Sequence, residues 1–263
     1  QIGVRFEAPQ KHFQKLIDKL FADKKSPAVA LIINSPGGSP TQSSLIAEKI
    51  INLAKEKNKK VYAFVEDVAA SGGYWLACSA DEIYLDLNSI VGSIGVISPG
   101  IGFVDLIKKM GIERRFYTSG KSKSFLDPFS PVNKTDLNKL KKIQNNIHAN
   151  FISWVKSSRG KKIKSSNEKE IFSGSFWLAK EAKSLGLIDD IGSEVLTLKS
   201  IFGEKVKIKK IPEGPRRSDL GATFRPGRVR SKPTGTRIRK SGGAVKRKTG
   251  GTIKRKTGGR TKR

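Results

Sequence analysis

Two short apolar runs, residues 29–34 and 61–66, each lead into a glycine-containing turn and then into a longer stretch with helical spacing. Runs of this length that are rich in Val and Ile are typical of buried strands. The repeated order of strand, turn and helix is the pattern of an α/β domain, because parallel strands need a crossover between them. A chain of 263 residues can bury one sizeable core. We therefore predict an α/β fold.

The same periodicities predict the remaining elements. Strands are expected at residues 29–34, 61–66, 82–85, 94–97 and 113–118. Helices are expected at residues 8–22, 41–57, 72–80, 101–110, 134–158, 176–185 and 194–202. The long polar helix 134–158 carries an apolar stripe, so we predict that one of its faces is buried within the domain or between subunits.

The charge of the chain changes in character near Pro212. The net charge is +29, and residues 213–263 contribute 11 Arg and 7 Lys against Glu213 and Asp219. This segment has few apolar residues, so it cannot bury enough surface to offset its chain entropy. We predict a folded domain at 1–212 and a disordered basic tail at 213–263. Nucleic acid is an unfavoured partner for this tail, because a solvated extension or a wrong reading frame explains its composition better.

Neither a membrane span nor a disulfide framework is visible in the sequence. No apolar run approaches the roughly 20 residues that a membrane-spanning helix needs. The single cysteine, Cys78, excludes an internal disulfide. The chain begins abruptly at Gln1 and without a signal-peptide pattern. We interpret it as a fragment that lacks a targeting or membrane segment.

The turn NSPGGS, residues 34–39, places two adjacent glycines at the entrance of the predicted helix 41–57. Glycine leaves the neighbouring backbone N–H groups unobstructed, and the helix dipole favours negative charge there. Such a turn suits a phosphate or the oxyanion of a tetrahedral intermediate. A tight strand-to-helix turn with no ligand is the alternative that these residues leave open.

The turn VAASGGYW, residues 68–75, places Ser71 between a predicted strand and a predicted helix. Nucleophilic serines favour such turns because the hydroxyl is held out of the core and near backbone donors. The motif differs from the G-x-S-x-G elbow, since Ala69 occupies the first glycine position. A simple helix N-cap is the alternative role for Ser71.

A serine nucleophile needs a base, and the chain contains only two histidines, His12 and His148. Both lie in predicted helices among charged neighbours, so we predict that both are solvated surface residues. Lysine is the known alternative partner of serine. Lys123, in the segment GKSKSFLDPF, precedes an apolar stretch that can desolvate its ammonium group and favour the neutral amine. One surface charge among many is the alternative role for this lysine.

Five segments in a fixed order make most of residues 5–193 resemble the signal peptide peptidase A / SohB family of bacterial serine-lysine peptidases. The segments are ALIINSPGGSP, VYAFVEDVAASGGYWLACSADEIY, SIVGSIGVIS, YTSGKSKSFLDPF and FSGSFWLAKEAKSLGLIDDIG. The resemblance implies a ClpP/crotonase-like core of repeated ββα units with flanking helices. It also implies assembly into a ring and cleavage of peptides left in or near the membrane.

The resemblance carries a catalytic dyad over to this chain by position. Ser71 resembles the nucleophile of the family's A-S-G-G segment. Lys123 resembles the general base, because Gly120 and Ser124 flank it as the family pattern G-x-x-K-S requires, and Lys121 is then a bystander. In compact relatives the two side chains meet across adjacent protomers, so the resemblance implies an inactive monomer.

The resemblance also implies a substrate site. Gly38 resembles the oxyanion donor, together with the amide of Gly72, and we predict that Pro36 and Gly37 bind the peptide substrate. The implied mechanism is acyl transfer through an acyl-enzyme, which needs no metal and no organic cofactor.

Two alternative functions remain open at this point. A crotonase-like acyl-CoA enzyme would also present paired amides to an oxyanion, but it needs a carboxylate and a coenzyme A pocket that we cannot place. A catalytically silent member with a nucleic-acid-binding tail is the other. The family's first strand, before Val4, is absent or truncated, and the tail has no family counterpart. We expect a bacterial protein at the inner membrane, through peripheral association, or in the cytoplasm.

Overall fold

The computed structural model of the chain describes residues 9–120, 123–163 and 165–209, with side chains from residue 15 onward except at residue 165. The predicted tail and the predicted boundary near Pro212 lie outside these residues and stay predictions. Among the helices that are described, none combines the length and the hydropathy needed to cross a bilayer.

The longest strand, β2 (Lys60–Ala70), organises the sheet. β1 (Ala28–Ser35) runs parallel to it, with Ala28 opposite Lys60 and Ser35 opposite Ala69. On the other side of β2, β3 (Glu82–Leu85) pairs with its first half and β4 (Ile90–Gly92) with its last three residues, both in parallel. Parallel strands end at the same edge of a sheet. The turns that follow β1 and β2 therefore lie side by side.

Two short strands complete the six-stranded sheet. β5 (Phe176–Leu178) is antiparallel to β4, and β6 (Asp190–Ile191) is parallel to β3. The sheet thus mixes one antiparallel edge with an otherwise parallel arrangement, which is common in α/β proteins.

Helices connect these strands and cover the sheet. They are α1 (Pro9–Ala22), α2 (Pro40–Lys57), α3 (Gly72–Ala77), α4 (Val104–Lys109), α5 (Lys134–Arg159), α6 (Glu168–Ile171), α7 (Ala179–Ser184) and α8 (Glu194–Phe202). The predicted α/β class is confirmed by this order of elements. The predicted helix 176–185 is corrected in its first three residues, which form β5 because they pair with β4.

The main core lies between one face of the sheet and the helices α2, α3, α5 and α7. Alternate residues of β1 are buried there, and every residue of α3 is buried. The opposite face of β2 carries Tyr62 and Phe64, which pack with Leu198 of α8. Because β2 is covered on both faces, its residues form a continuous apolar run instead of an alternating one.

The predicted strand 94–97 is wrong. The strand lies earlier, at β4, and ends where Gly92 and Ser93 adopt positive φ angles of 115° and 52°. The left-handed φ of the non-glycine residue Ser93 lies outside the extended region, so the strand does not continue beyond Gly92. The side chain of Ile94 is fully buried all the same. The apolar run therefore has two origins, because Ile94 is buried in the core whereas Ile97 is exposed at the start of the next segment.

The predicted strand 113–118 is also wrong. These residues form no regular element in the part of the chain that is described, and all of them are exposed. A strand is stable only when a neighbour pairs with it, and here the single chain supplies none among the described residues. They belong to a segment, residues 97–132, that we call the arm.

The arm is held mainly by contacts within itself. The rings of Phe103 and Phe129 stack with centroids 5.3 Å apart, and the Arg114 guanidinium lies 4.7 Å from the Phe129 centroid. Arg114 also forms a 2.9 Å ion pair with Asp127. The arm nevertheless leaves large apolar side chains exposed, among them Ile97, Ile101, Met110, Tyr117 and Val132.

Candidate active site

Ser71 lies in the turn between β2 and α3, with a strained backbone. Its φ and ψ angles are 51° and −119°, and its side chain forms no capping hydrogen bond to α3. A non-glycine residue in such a conformation costs about 1–3 kcal/mol and is found mostly at functional sites. An N-cap serine has extended φ and ψ and accepts a hydrogen bond from the helix. The N-cap role for Ser71 is therefore not supported by this geometry.

Backbone hydrogen bonds hold this turn in place. The Ser71 N–H donates to the Gly92 carbonyl oxygen at 2.8 Å, and the Ser71 carbonyl accepts from the Trp75 N–H at 2.9 Å. The first bond ties the turn to the end of β4, and the second begins α3. The half-buried Ser71 is thereby fixed at the carboxyl edge of the sheet.

The turn after β1 lies directly against Ser71. A Cβ atom on Gly37, whose φ is 116°, would lie 2.9 Å from the Cβ of Ser71. A Cβ atom on Gly72 would lie 2.5 Å from the Oγ of Ser43 and 3.1 Å from the Gly38 nitrogen. Any side chain at Gly37 or Gly72 would force the two turns apart. Glycine is therefore required here by packing.

The amides of Gly38 and Gly72 are thus close neighbours beside a serine hydroxyl. Gly72 is the first residue of α3, and Gly38 lies two residues before α2. The N–H of a first helical residue has no acceptor within its own helix. Two such donors beside a nucleophile can stabilise the oxyanion of a tetrahedral intermediate.

A small open cavity of about 230 Å³, counted with its solvent-open space, joins these groups. Its polar end is formed by Ser71, Gly38 and Gly72. The remaining lining residues are mostly apolar: Pro40, Trp75, Gly95, Val96, Ile147 and Phe151. The exposed Pro36 and the half-buried Gly37 precede this cavity in the same turn. The cavity therefore offers an apolar wall next to a polar end.

The structure does not bring Lys123 to this cavity. Lys123 is exposed on the arm, in a turn where its N–H donates to the Gly120 carbonyl at 3.2 Å. It is not among the residues that line the cavity. Lys121 lies outside the described residues. Within one chain, Ser71, Gly37, Gly38 and Gly72 come together and the predicted base does not join them.

The prediction that His148 is a solvated surface residue is wrong. His148 is half-buried in α5, and its Nε2 lies 2.9 Å from the Ile94 carbonyl oxygen, to which it donates. The next two residues along the chain from Ile94, Gly95 and Val96, line the cavity. The one sequence signal for this burial was that His148 directly follows Ile147, a residue of the apolar stripe of the helix. The side chain of His12 is outside the described part.

A buried polar network behind α3 was not predicted at all. Arg159 is 2% exposed, and it donates to the Gly186 carbonyl at 3.1 Å and to Asp189 at 2.8 Å. Burial opposes ionisation of Asp189, but hydrogen bonds from Arg159 and Lys162 outweigh it and lower the Asp189 pKa below its ordinary value. The network fixes the end of α5 to the segment before β6.

Tyr74 of α3 and Cys78, the residue after α3, face this network. The Tyr74 hydroxyl donates to the Leu187 carbonyl at 2.6 Å. Burial raises the pKa of the Cys78 thiol to about 12, so the thiol is neutral and inert. Cys78 is therefore a packing residue. No group of three or more metal-ligating side chains occurs within the described ranges.

Comparison with known proteins places this geometry in a family. The model of peptidase family S49 matches residues 53–205. A Na(+)/H(+) antiporter, NhaA, of Brucella melitensis is 52% identical over 206 residues, which are 78% of this chain and 27% of that protein. A candidate protease of Methanocaldococcus jannaschii is 36% identical over 191 residues, 73% of this chain and 60% of that protein.

A plant relative carries the name of the predicted group. The chloroplastic serine protease SPPA of Arabidopsis thaliana is 31% identical over 183 residues, 68% of this chain and 26% of that protein. The chain thus spans less than two thirds of the length of these three relatives. The family match confirms the predicted ClpP-like fold class and the serine-peptidase class, and it disfavours an acyl-CoA enzyme. The chain belongs to peptidase family S49, as its resemblance to the signal peptide peptidase A / SohB group predicted.

Proposed function

We propose that the chain is a serine endopeptidase in which Ser71 is the nucleophile and the Gly38 and Gly72 amides bind the oxyanion. The observation that supports this most is the strained, uncapped Ser71 in contact with the glycine turn after β1. Packing alone gives no reason to hold a serine in this conformation, because a glycine would adopt it without strain.

The reaction proceeds by acyl transfer. A neutral Lys123 amine takes the Ser71 hydroxyl proton while the oxygen attacks the peptide carbonyl carbon. The negative oxygen accepts hydrogen bonds from the two amides, an arrangement worth about 100- to 1,000-fold in rate for each donor. When the C–N bond breaks, the leaving amine takes the proton back from Lys123. Water then attacks the acyl-enzyme and releases the second product.

The lining of the cavity supports a proposal for the substrate class. Its apolar wall, with Trp75, Val96 and Phe151, favours an apolar side chain next to the cleaved bond. We propose that Pro36 and Gly37 contact the peptide backbone, because Gly37 lies against Ser71 and Pro36 precedes it in the turn after β1. Apolar peptides of this kind include signal-peptide remnants and membrane-associated polypeptides, which are the proposed substrates.

Lys123 would come from a second copy of the chain. Lysine acts as a base only where burial favours its neutral amine, and Lys123 is exposed in the single chain. The arm that carries it exposes Ile101 at 71%, Met110 at 63% and Tyr117 at 91%. Large apolar side chains that are exposed on this scale agree with a protein interface. We therefore propose a ring in which each arm covers the Ser71 cavity of its neighbour.

Variants that each lack one member of the dyad test this proposal. Ser71→Ala and Lys123→Ala should each lower kcat on an apolar fluorogenic peptide by at least about 1,000-fold. Ser71→Ala should also abolish labelling by a fluorophosphonate probe. Lys108→Ala, at an exposed position of the arm, is the control and should keep kcat within about twofold.

Mixing the two inactive variants tests where the base comes from. If they are co-produced and assemble at random, roughly a quarter of the sites combine an intact Ser71 with an intact Lys123 of the neighbour. The mixture should therefore regain roughly a quarter of wild-type activity. No recovery would contradict sharing between copies, and near-wild-type activity of Lys123→Ala alone would contradict the dyad.

The remaining partner and location expectations stay predictions. The bacterial source agrees with the Brucella relatives. Cell fractionation tests inner-membrane association against a cytoplasmic location. Duplex titration at two salt concentrations, with and without residues 213–263, tests nucleic-acid binding through that segment.

A further inference from the structure

Gly95 and Val96 form one wall of the cavity, and the segment that carries them, residues 93–96, belongs to no helix or strand. Two contacts hold it from the β5 side. The Ser93 N–H donates to the Ser175 carbonyl at 2.7 Å, and a Cβ on Gly95 would lie 3.3 Å from the Gly174 Cα. Just beyond the wall, Ile97 is 84% exposed. The wall is therefore the place where the chain leaves the body of the protein for the arm.

His148 holds the same wall from the α5 side. Its Nε2–H donates to the Ile94 carbonyl at 2.9 Å, one residue before the wall residues Gly95 and Val96. On α5 the preceding residue, Ile147, and the residue three positions later, Phe151, line the cavity too. One hydrogen bond thus joins the two sides of the apolar cavity at a fixed distance.

Docking of α5 does not depend on this hydrogen bond. Phe151 stacks on Trp75 with ring centroids 4.8 Å apart, and the Trp154 Nε1–H donates to the Trp75 carbonyl at 2.9 Å. Val155, one turn after Phe151, is fully buried. The helix is therefore secured by the following turns, and the His148 bond acts on the wall segment alone.

We propose that His148 is a positioning residue that sets the width of the apolar cavity beside Ser71, and thereby the size of the substrate side chain that the enzyme accepts. This inference rests on the proposed peptidase function. Without the bond the wall segment can move away from α5, and a cavity of variable width distinguishes large and small side chains less well. A well-formed apolar pocket separates substrates that differ by one methylene by about 10- to 200-fold.

The test compares the kcat/KM of two peptides that carry Leu or Ala at the cleaved bond, using the full chain. The ratio of the two values does not depend on the fraction of folded enzyme, so partial unfolding of a variant does not disturb it. In His148→Leu the Leu/Ala ratio should fall roughly tenfold. In His148→Gln, whose amide can donate from the position of Nε2, the ratio should stay within about threefold.

Two further variants test whether a change in the Leu/Ala ratio comes from loss of the hydrogen bond or from the new apolar side chain. Asn145→Leu places the same new side chain on an exposed position of α5 and should leave the ratio unchanged. His148→Asn is polar but too short to reach Ile94, so it should behave as His148→Leu does. If His148→Leu or His148→Asn keeps the wild-type ratio, the inference is overturned.

A failure of the proposed function has a different signature. In that case the wild type hydrolyses no peptide and is not labelled by the fluorophosphonate probe, or Ser71→Ala keeps whatever activity and labelling the wild type has. Amide hydrogen exchange over residues 94–96 still tests the anchor then, because exchange reports local opening without any substrate. Exchange there should be roughly tenfold faster in His148→Leu than in Asn145→Leu, and equal rates would overturn the inference.

Discussion

Strand β2, which ends one residue before Ser71, and the arm, which carries Lys123, are both rich in apolar residues but use them in opposite ways. In β2 these side chains are buried on both faces of the sheet. In the arm they remain exposed, and the predicted strand 113–118 finds no partner within the described residues. The apolar side chains of the first region are buried within one chain, whereas those of the second stay exposed, as the proposed interface with a second copy requires. Four further predictions test this contrast.

The largest effect is expected at Gly72. A methyl group there meets Ser43 Oγ at 2.5 Å and the Gly38 nitrogen at 3.1 Å, so Gly72→Ala should displace an oxyanion donor and lower kcat by about 100-fold or more. Gly100→Ala, in the arm, is the matched control, since nothing lies within 4 Å of its added methyl. It should change kcat by less than about twofold. Equal kcat for both variants would mean that the turn at Ser71 tolerates displacement.

A large effect on stability, without an effect on assembly, is expected at Arg159. Arg159→Met breaks a buried ion pair with Asp189 and should lower the free energy of unfolding by about 3 kcal/mol, measured by urea titration. Lys199→Met, which breaks an exposed pair with Glu204, should lower it by less than about 1 kcal/mol. A loss of assembly in Arg159→Met at temperatures where it stays folded would contradict the separation of body and arm.

The same ion pair predicts a pH dependence. The pKa of Asp189 lies below its ordinary value of 3.8 in the folded protein. Its contribution to stability is therefore present above about pH 4 and is lost as pH falls through the folded-state pKa. Unfolding free energy of the wild type should fall more steeply below pH 4 than that of Arg159→Met, and parallel slopes would show that this pair is not responsible.

The smallest effect is expected from a charge on the arm. Ile101→Glu should prevent burial of the arm against a neighbour and lower both the assembled fraction and the activity by about tenfold, while the Tm stays near that of the wild type. Leu196→Glu is a matched control on α8, since both side chains are 71% exposed. Sedimentation and peptide hydrolysis measure the two outcomes. If Ile101→Glu assembles fully and keeps wild-type activity, the arm is not part of the interface.

Much of the fold and half of the site were predictable because their signals are local. The Val- and Ile-rich runs identified β1, β2 and β3, and the glycine pairs marked the turns at Gly37 and Ser71. The strand 94–97 was mispredicted because a buried Ile94 resembles a strand residue, whereas the positive φ of Ser93 leaves no pattern in hydropathy. The helix 176–185 was mispredicted at its start because only pairing with β4 makes β5 extended.

Contacts between distant residues were not predictable in the same way. His148 and Ile94 are 54 positions apart, and Arg159 and Asp189 are 30 apart. Neither pair leaves a periodic pattern in the sequence. The Ile94 carbonyl is one of many backbone acceptors and Asp189 is one of many carboxylates, and only the packing of α5 selects them. The predicted exposure of His148, in a helix with a largely polar sequence, is therefore overridden by the fold.

The sequence by itself determined the order of strands and glycine turns, the candidate nucleophile Ser71 and the family, because these depend on residues that are adjacent along the chain. Only the tertiary structure decided that the turns at Gly37 and Ser71 touch, that Ser71 is strained and uncapped, and that His148 anchors the cavity wall. The physical reason is the parallel pairing of β1 with β2. This pairing brings the carboxyl ends of two separate strands to one edge, where backbone amides and a hydroxyl can act together.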